Sequence, residues 1–289
     1  MIQVRNLGVR CCGATILDTV DLDLPDRGIV VLLGPSGCGK STLLRCIIRE
    51  DEEDRSLMVS GSVLLGGEDL RDKKVPVARV RQQLGLVPQR PYPFPGTALQ
   101  NVTFALRHTT KLSPAEIEAR ALSALQEAGL EPAHHNTQAD KLSGGQLKRL
   151  AVARTIALDP AVLLMDEPTN GLDPLAVVRI EMLMTSLAEN RLVVVVTHDL
   201  HLARRIADQV HFLWPFPTGA RLVESGPPDR VLESPSRAET QLFVEAAWNG
   251  AAALYDDDDG EIGPLQKRST VRPRPLPKTA SDHDRNPTP

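Results

Sequence analysis

No run of this 289-residue chain is apolar for long enough to cross a bilayer. Its longest apolar stretches, at 29–33, 161–165 and 192–196, are strand-sized, whereas a spanning helix needs roughly eighteen residues or more. The N-terminus offers no basic segment followed by a long apolar core, the pattern of a secretory signal, and enters directly on a strand-like Ile2-Gln3-Val4. The expectation is a soluble, cytosolic chain. Cysteine is scarce too: Cys11 and Cys12 are adjacent, and Cys38 and Cys46 lie further on, which is neither a disulfide framework nor a zinc spacing. These read as buried or incidental thiols. Charge of either sign is nearly balanced, with 33 Lys and Arg against 37 Asp and Glu and a net charge of −4. Nothing global therefore draws the chain to nucleic acid, and no nucleic-acid partner is expected.

What the sequence does have is 42% hydrophobic residues, ample for a core, arranged in Val, Leu and Ile runs that alternate with helix-length amphipathic segments. That alternation implies an α/β fold whose helices cover both faces of a largely parallel sheet. Ser113-Pro114-Ala115-Glu116 places a capping serine, a first-turn proline and a reciprocal glutamate before an apolar stripe of Ile117, Ala121, Leu122, Leu125 and Ala128 that stops at Gly129. This helix belongs to a mostly helical stretch from about 89 to 141, read as a subdomain inserted into the sheet core. From about residue 249 the composition turns to Asp256-Asp257-Asp258-Asp259 and then to a Pro-, Arg- and Lys-rich tail, expected to be disordered. The acidic quartet lacks the glycine turn and closing glutamate of a calcium loop and reads as solvated.

Gly34-Pro35-Ser36-Gly37-Cys38-Gly39-Lys40-Ser41 matches G-x-x-x-x-G-K-[ST]. An apolar strand precedes it at 29–33, and a helix burying Leu43, Leu44, Ile47 and Ile48 is expected from Thr42 onward. The glycines let the backbone amides curl around phosphates at a helix N-terminus, Lys40 adds positive charge to the β and γ groups, and Ser41 is placed to ligate Mg²⁺. Further on, the strand at 161–165 ends in Asp166-Glu167, at the carboxyl edge where nucleotides sit in such folds. Asp166 is expected in the Mg²⁺ shell, and Glu167 as the base that polarises the attacking water. The strand at 192–196 delivers Thr197-His198-Asp199 to the same edge, so that His198 can reach the γ-phosphate side. A His198 and His201 zinc pair lacks a third ligand, and His134 and His135 read as loop residues.

Leu142-Ser143-Gly144-Gly145-Gln146 narrows the field. Ser143 can cap the following helix while Gly144 and Gly145 leave its amides open, making a second anion site. The order of the glycine-rich loop, Gln89, this signature, the acidic pair and His198 resembles the ATP-binding cassette family over about residues 1–245. The resemblance implies a cassette domain at 1–248 with a P-loop core of mixed, largely parallel sheet, an antiparallel β subdomain and a helical subdomain at about 89–160, followed by a tail at 249–289. It implies a head-to-tail homodimer in which ATP and Mg²⁺ lie between residues 34–42, Gly34 to Thr42, of one subunit and Ser143, Gly144, Gly145 and Gln146 of the other. Gln89 corresponds to the family's switch glutamine, with catalytic and Mg²⁺-shell roles beside Ser41 and Asp166, and Gly171-Leu172-Asp173 to its D-loop. Integral membrane permease subunits, and through them an extracytoplasmic substrate-binding protein, are the implied partners, with the chain peripheral on the cytoplasmic side of the inner membrane.

Within the family the stretches 34–46, 59–70, 89–95 and 161–168 look like the ATPases of bacterial phosphate importers. Another oxyanion or small-solute transporter, or a regulatory cassette without a permease, would use the same motor. Several places depart from the subgroup: Cys11-Cys12-Gly13 where an aromatic usually stacks on adenine, so that Cys12 takes that position; Pro88 before Gln89; Leu147-Lys148 after the signature in place of glutamines; Asn170-Gly171 in place of Ser-Ala; and the stretch after Trp248, which does not match the subgroup's usual ending.

Overall fold

The computed structural model describes residues 1–249, so the acidic quartet and the rest of the tail lie outside the described residues. Along the chain run β1 (Ile2–Cys11), β2 (Ala14–Leu24), β3 (Gly28–Leu33), α1 (Lys40–Ile47), β4 (Leu57–Leu65), β5 (Glu68–Asp69), α2 (Val77–Gln83) and β6 (Leu84–Val87). The helical stretch contributes α3 (Ala98–Thr109), α4 (Pro114–Glu127) and α5 (Gly144–Ile156). After it come β7 (Val162–Asp166), α6 (Pro174–Ala188), β8 (Leu192–Thr197), α7 (Leu200–Ile206), β9 (Gln209–Phe216), β10 (Gly219–Gly226) and α8 (Ala238–Asn249).

All ten strands among the described residues belong to one sheet, ordered β5-β4-β1-β2-β10-β9-β3-β8-β7-β6. The sequence explains why its two ends differ. β3, β7 and β8 are apolar without alternation because both of their faces are covered. Ile29, Val31 and Leu33 of β3 point into one core with α3 to α7, while Val30 and Leu32 point into the other with Leu43, Leu44 and Ile47 of α1. Each such side chain stabilises the fold by about 1.5–3 kcal/mol. β6, β7, β8, β3 and β9 are mutually parallel, as expected. β1 and β2 alternate buried and open positions instead, and pair antiparallel with each other, as β1 does with β4. This antiparallel lobe is continuous with the parallel core, joined through the single β10–β2 rung Ala220 to Leu17.

α4 begins at the foreseen capping box, with Ser113 Oγ accepting from the Glu116 amide and the Glu116 carboxylate accepting from the Ser113 amide. Its buried face is Ile117, Ala121, Ala124 and Leu125; Leu122, placed on the stripe by spacing, is exposed. A second box, Thr97 with Gln100, starts α3. His135 is buried and bonds the Leu130 carbonyl at 2.8 Å, so it fastens the α4–α5 connection instead of standing free in a loop. No helix among the described residues is long and apolar enough to cross a membrane.

Candidate active site

Parallel pairing brings the carboxyl ends of β3, β8 and β7 to one edge, and there the loop at 34–39, Thr197 and Asp166 converge. The loop leaves β3 at Gly34, where a Cβ would fall 2.3 Å from the Leu213 carbonyl oxygen, so no larger residue fits. It enters α1 at Gly39, which has φ +94° and packs against β2: a Cβ there would lie 2.7 Å from a Leu17 methyl. Lys40 is buried, and its Nζ donates to the Gly34 and Pro35 carbonyls, both at 2.8 Å, which holds the ammonium across the mouth of the loop. Cys38 lies beneath it, buried, its thiol pKa pushed up by that burial. Ser36 and Gly37 form the exposed crest, and Thr42 follows Ser41 on the first turn of α1.

Ser41 Oγ donates to Asp166 Oδ1 at 2.8 Å. Burial raises the pKa of Asp166, the Ser41 bond opposes that rise, and the neighbouring Glu167 charge adds to it. A carboxylate under such pressure, with a hydroxyl beside it, is a hard-oxygen pair suited to Mg²⁺, which these two residues therefore fit. Gln89 is exposed two residues beyond β6 and takes no part in this hydrogen-bonded group.

Glu167 is the structural surprise. It has φ +45°, a left-handed conformation uncommon for a residue with a side chain. Its amide donates to the Val196 carbonyl at 2.9 Å, and its own carbonyl accepts from the Asn170 amide at 3.2 Å and from Lys148 Nζ at 2.8 Å. Lys148 is itself buried, and desolvation lowers its pKa to about 8 against the pull of Glu167 and Asp166. Thus held, the Glu167 side chain accepts from Thr197 Oγ at 3.2 Å and meets His198 Nδ1 at 2.7 Å. The His198 side chain is 50% exposed and that of Glu167 11%, so the pair has a buried carboxylate behind an open imidazole. His198 faces its own chain's carboxylate; His201 meets Trp248 edge-on at 4.6 Å, and no group of three His, Cys, Asp or Glu able to hold a metal ion occurs among the described residues.

The signature stands apart from this cluster. Ser143 Oγ accepts from the Gln146 amide at 3.3 Å and Gln146 Oε1 accepts from the Ser143 amide at 2.9 Å, a capping box that turns Gln146 back onto the helix start. Gly144 and Gly145 open α5 beside a polar cleft of about 290 Å³ that Arg149, Asp173 and Arg179 also line. Cys12 occupies the two-residue turn of the β1–β2 hairpin with Gly13, at φ +50° and +87°, exposed, with its Sγ 3.8 Å from that of Cys11. Cys12 is thus exposed and Cys11 half-buried, while Cys38 and Cys46 are buried.

Sequence reasoning missed Lys148 and Thr197 as members of the site. The signal for Lys148 was a charged residue one turn into a helix at a position otherwise taken by buried side chains; Thr197 left none beyond ending a β-run.

A phosphate-gripping loop between strand and helix, a hydroxyl and carboxylate at its foot and a second carboxylate backed by histidine define a phosphate-loop nucleotide hydrolase. Comparison with known proteins narrows this. The family model for ABC transporters matches residues 17–170. The phosphate import ATP-binding protein PstB of Shewanella denitrificans is 38% identical over 252 residues, spanning 86% of this chain and 90% of its own. The ATP-binding cassette MJ0796, solved as a post-hydrolysis dimer bound to ADP and Pi, superposes with a TM-score of 0.67 at 30% identity, over 79% of this chain and 99% of that one. CbiO1 from Clostridium perfringens, part of the ABC transporter complex cbiONQ, superposes with a TM-score of 0.70 at 26% identity, over 86% and 95%. The chain belongs to the ABC transporter family, as an ATPase subunit.

Proposed function

We propose that this chain is the ATP-hydrolysing subunit of an importer of inorganic phosphate, working as a homodimer on the cytoplasmic face of the inner membrane. The observation that carries the choice of cargo is the 38% identity to a phosphate-import ATP-binding protein across nearly the whole of both chains. The motor itself rests on the geometry above.

In this reading the cassette spans 1–248 and its helical subdomain about 89–160. Lys40 and the amides of residues 34–42 bind the phosphates of ATP. Lys40 exchanges its bonds to the Gly34 and Pro35 carbonyls for phosphate oxygens, so the loop is poised and needs little rearrangement. Ser41 and Asp166 hold Mg²⁺, joined from the exposed loop by Gln89. When bound, the metal supplies neutralisation of the charge on the phosphates. Glu167 takes a proton from the attacking water, and His198, 2.7 Å from it, orients the carboxylate and shields it. Ser143, Gly144, Gly145 and Gln146 cap the same phosphates from the second subunit, the free amides of the α5 N-terminus facing the γ group. Cys12 closes the adenine end in place of an aromatic, without stacking.

Coupling to a permease is supported by an aromatic patch next to Gln89. Tyr92 and Phe94 are exposed, Phe94 packs on the exposed Phe104 at 4.9 Å, and Arg154 lies 4.8 Å over the Phe94 ring. A membrane partner gripping this patch would feel the movement of Gln89, and a receptor for the solute would act through that partner.

The test is reconstitution of the chain with its co-purifying membrane subunits in vesicles. ATP turnover is expected to rise when phosphate-loaded receptor is supplied and to stay basal with empty receptor. Turnover indifferent to phosphate, or activated by another solute, would remove the cargo assignment and leave the motor.

A further inference from the structure

Two lysines are buried among the described residues, Lys40 and Lys148. Lys40 serves the phosphate loop. Lys148 lies outside that loop: it rises from the second turn of α5 and ends 2.8 Å from the main-chain carbonyl of Glu167. An ammonium taken out of water is costly, and an apolar side chain of equal length would fill the same volume at no such cost. Packing therefore does not account for it.

What Lys148 touches does account for it. Glu167 has a left-handed backbone at φ +45°, a conformation that an L residue keeps only when its surroundings impose it. Three hydrogen bonds do so: Val196 of β8 on the amide, and Asn170 and Lys148 on the carbonyl. Val196 belongs to β8, the strand paired with β7, and Asn170 to the loop that directly follows Glu167. Lys148 comes from the helix that begins with the signature, whose Gly144 and Gly145 lie one turn before it.

We propose that Lys148 is a positioning residue for hydrolysis, fixing the Glu167 peptide so that its carboxylate stays on the Thr197 and His198 contacts. It does so from the helix whose first turn serves the opposite nucleotide of the dimer. Each chain thereby ties the base of its own site to the signature it lends to the other. The inference rests on the reading of Glu167 as the base.

The experiment compares the full wild-type chain with Lys148→Met, which keeps the length and removes the donor, and Lys148→Gln, which keeps a donor on a shorter arm. ATP affinity, thermal midpoint, KM and kcat are measured for each, beside Glu167→Gln. In Lys148→Met, kcat is expected to fall about tenfold or more, with KM and ATP affinity within about twofold of wild type, and Lys148→Gln to recover part of the loss. A wild-type kcat in Lys148→Met, or a loss confined to KM, overturns the proposal. If Lys148→Met does not fold, Lys148→Leu, which also lacks the donor, is judged by the same criterion. Glu167→Gln separates the two claims: if it hydrolyses ATP normally, the base has been misassigned; if it is inactive while Lys148→Met is normal, only the positioning role falls.

Discussion

Replacing Glu167 by Gln changes one atom at the centre of the site and leaves its shape. In the wild-type chain Oε1 lies 2.7 Å from His198 Nδ1 and Oε2 accepts from Thr197 Oγ at 3.2 Å. A glutamine can keep its amide oxygen on His198 and point its NH₂ at Thr197 Oγ, which must then accept where it donated, so the shape of both contacts is kept and only the Thr197 hydroxyl proton loses its acceptor. The main-chain bonds to Val196, Asn170 and Lys148 are untouched, because none involves the side chain. The loss is therefore confined to proton acceptance. A positioned general base is worth about 10²–10⁴-fold in rate, or about 3–5 kcal/mol of barrier. ATP affinity should stay within about twofold, since phosphate binding rests on Lys40 and the loop amides. Single-turnover hydrolysis of radiolabelled ATP, run beside equilibrium nucleotide binding and size-exclusion chromatography with and without ATP, reads all three quantities. The expected result is a protein that binds ATP, accumulates as a dimer and barely turns over. Hydrolysis within threefold of wild type would refute the assignment, and so would a large loss of affinity.

Lys40→Ala should weaken ATP binding by tenfold or more, as about 1.5–3 kcal/mol of charge-assisted hydrogen bonding disappears; titration calorimetry would contradict this by returning the wild-type constant. Ser143→Ala removes the cap of α5 and should cost about 1 kcal/mol of stability, visible in urea midpoints, together with weaker ATP-induced dimerisation; unchanged values of both would show the cap to be idle. His211 is 6% exposed, bonds Ser225 Oγ at 2.8 Å, and has its pKa lowered by burial from 6.5 to about 4, with the Asp23 charge opposing. Because the folded value lies below the unfolded one, its contribution is complete above about pH 6.5 and is lost as the pH falls toward 4, to the extent of about 3 kcal/mol. His211→Phe should flatten the pH dependence of the urea midpoint in that window by a similar amount; parallel curves for the two proteins would exclude the histidine as its cause.

Local chemistry made much of this molecule legible. The capping boxes at Ser113 and Ser143, the glycine-rich loop and the strands at 29–33, 161–165 and 192–196 are each dictated by a few neighbouring residues, and the structure places them as expected. The two-sided burial of β3 follows directly from its unbroken apolar run. Contacts between distant segments were less readable. Leu122 fits the helical period of α4, yet Ala124 is the residue that reaches the core, because neighbouring helices decide which edge of the stripe is covered. Lys148 stood out only as a departure from glutamine, since its partner is a carbonyl 19 residues on. His198 was assigned to the right edge of the sheet, but its 2.7 Å contact with Glu167 depends on the left-handed turn at that glutamate, which no residue type announces.

α5 is 13 residues long, about 20 Å of rod at the usual rise per residue. Its N-terminus carries the signature, Lys148 grips the Glu167 carbonyl, and further along Arg154 donates to the Tyr92 carbonyl at 3.1 Å while lying over Phe94. A hydrogen-bonded helix does not stretch appreciably. A pull on its first turn would reach the Glu167 peptide and the aromatic segment together, because one rigid rod holds both.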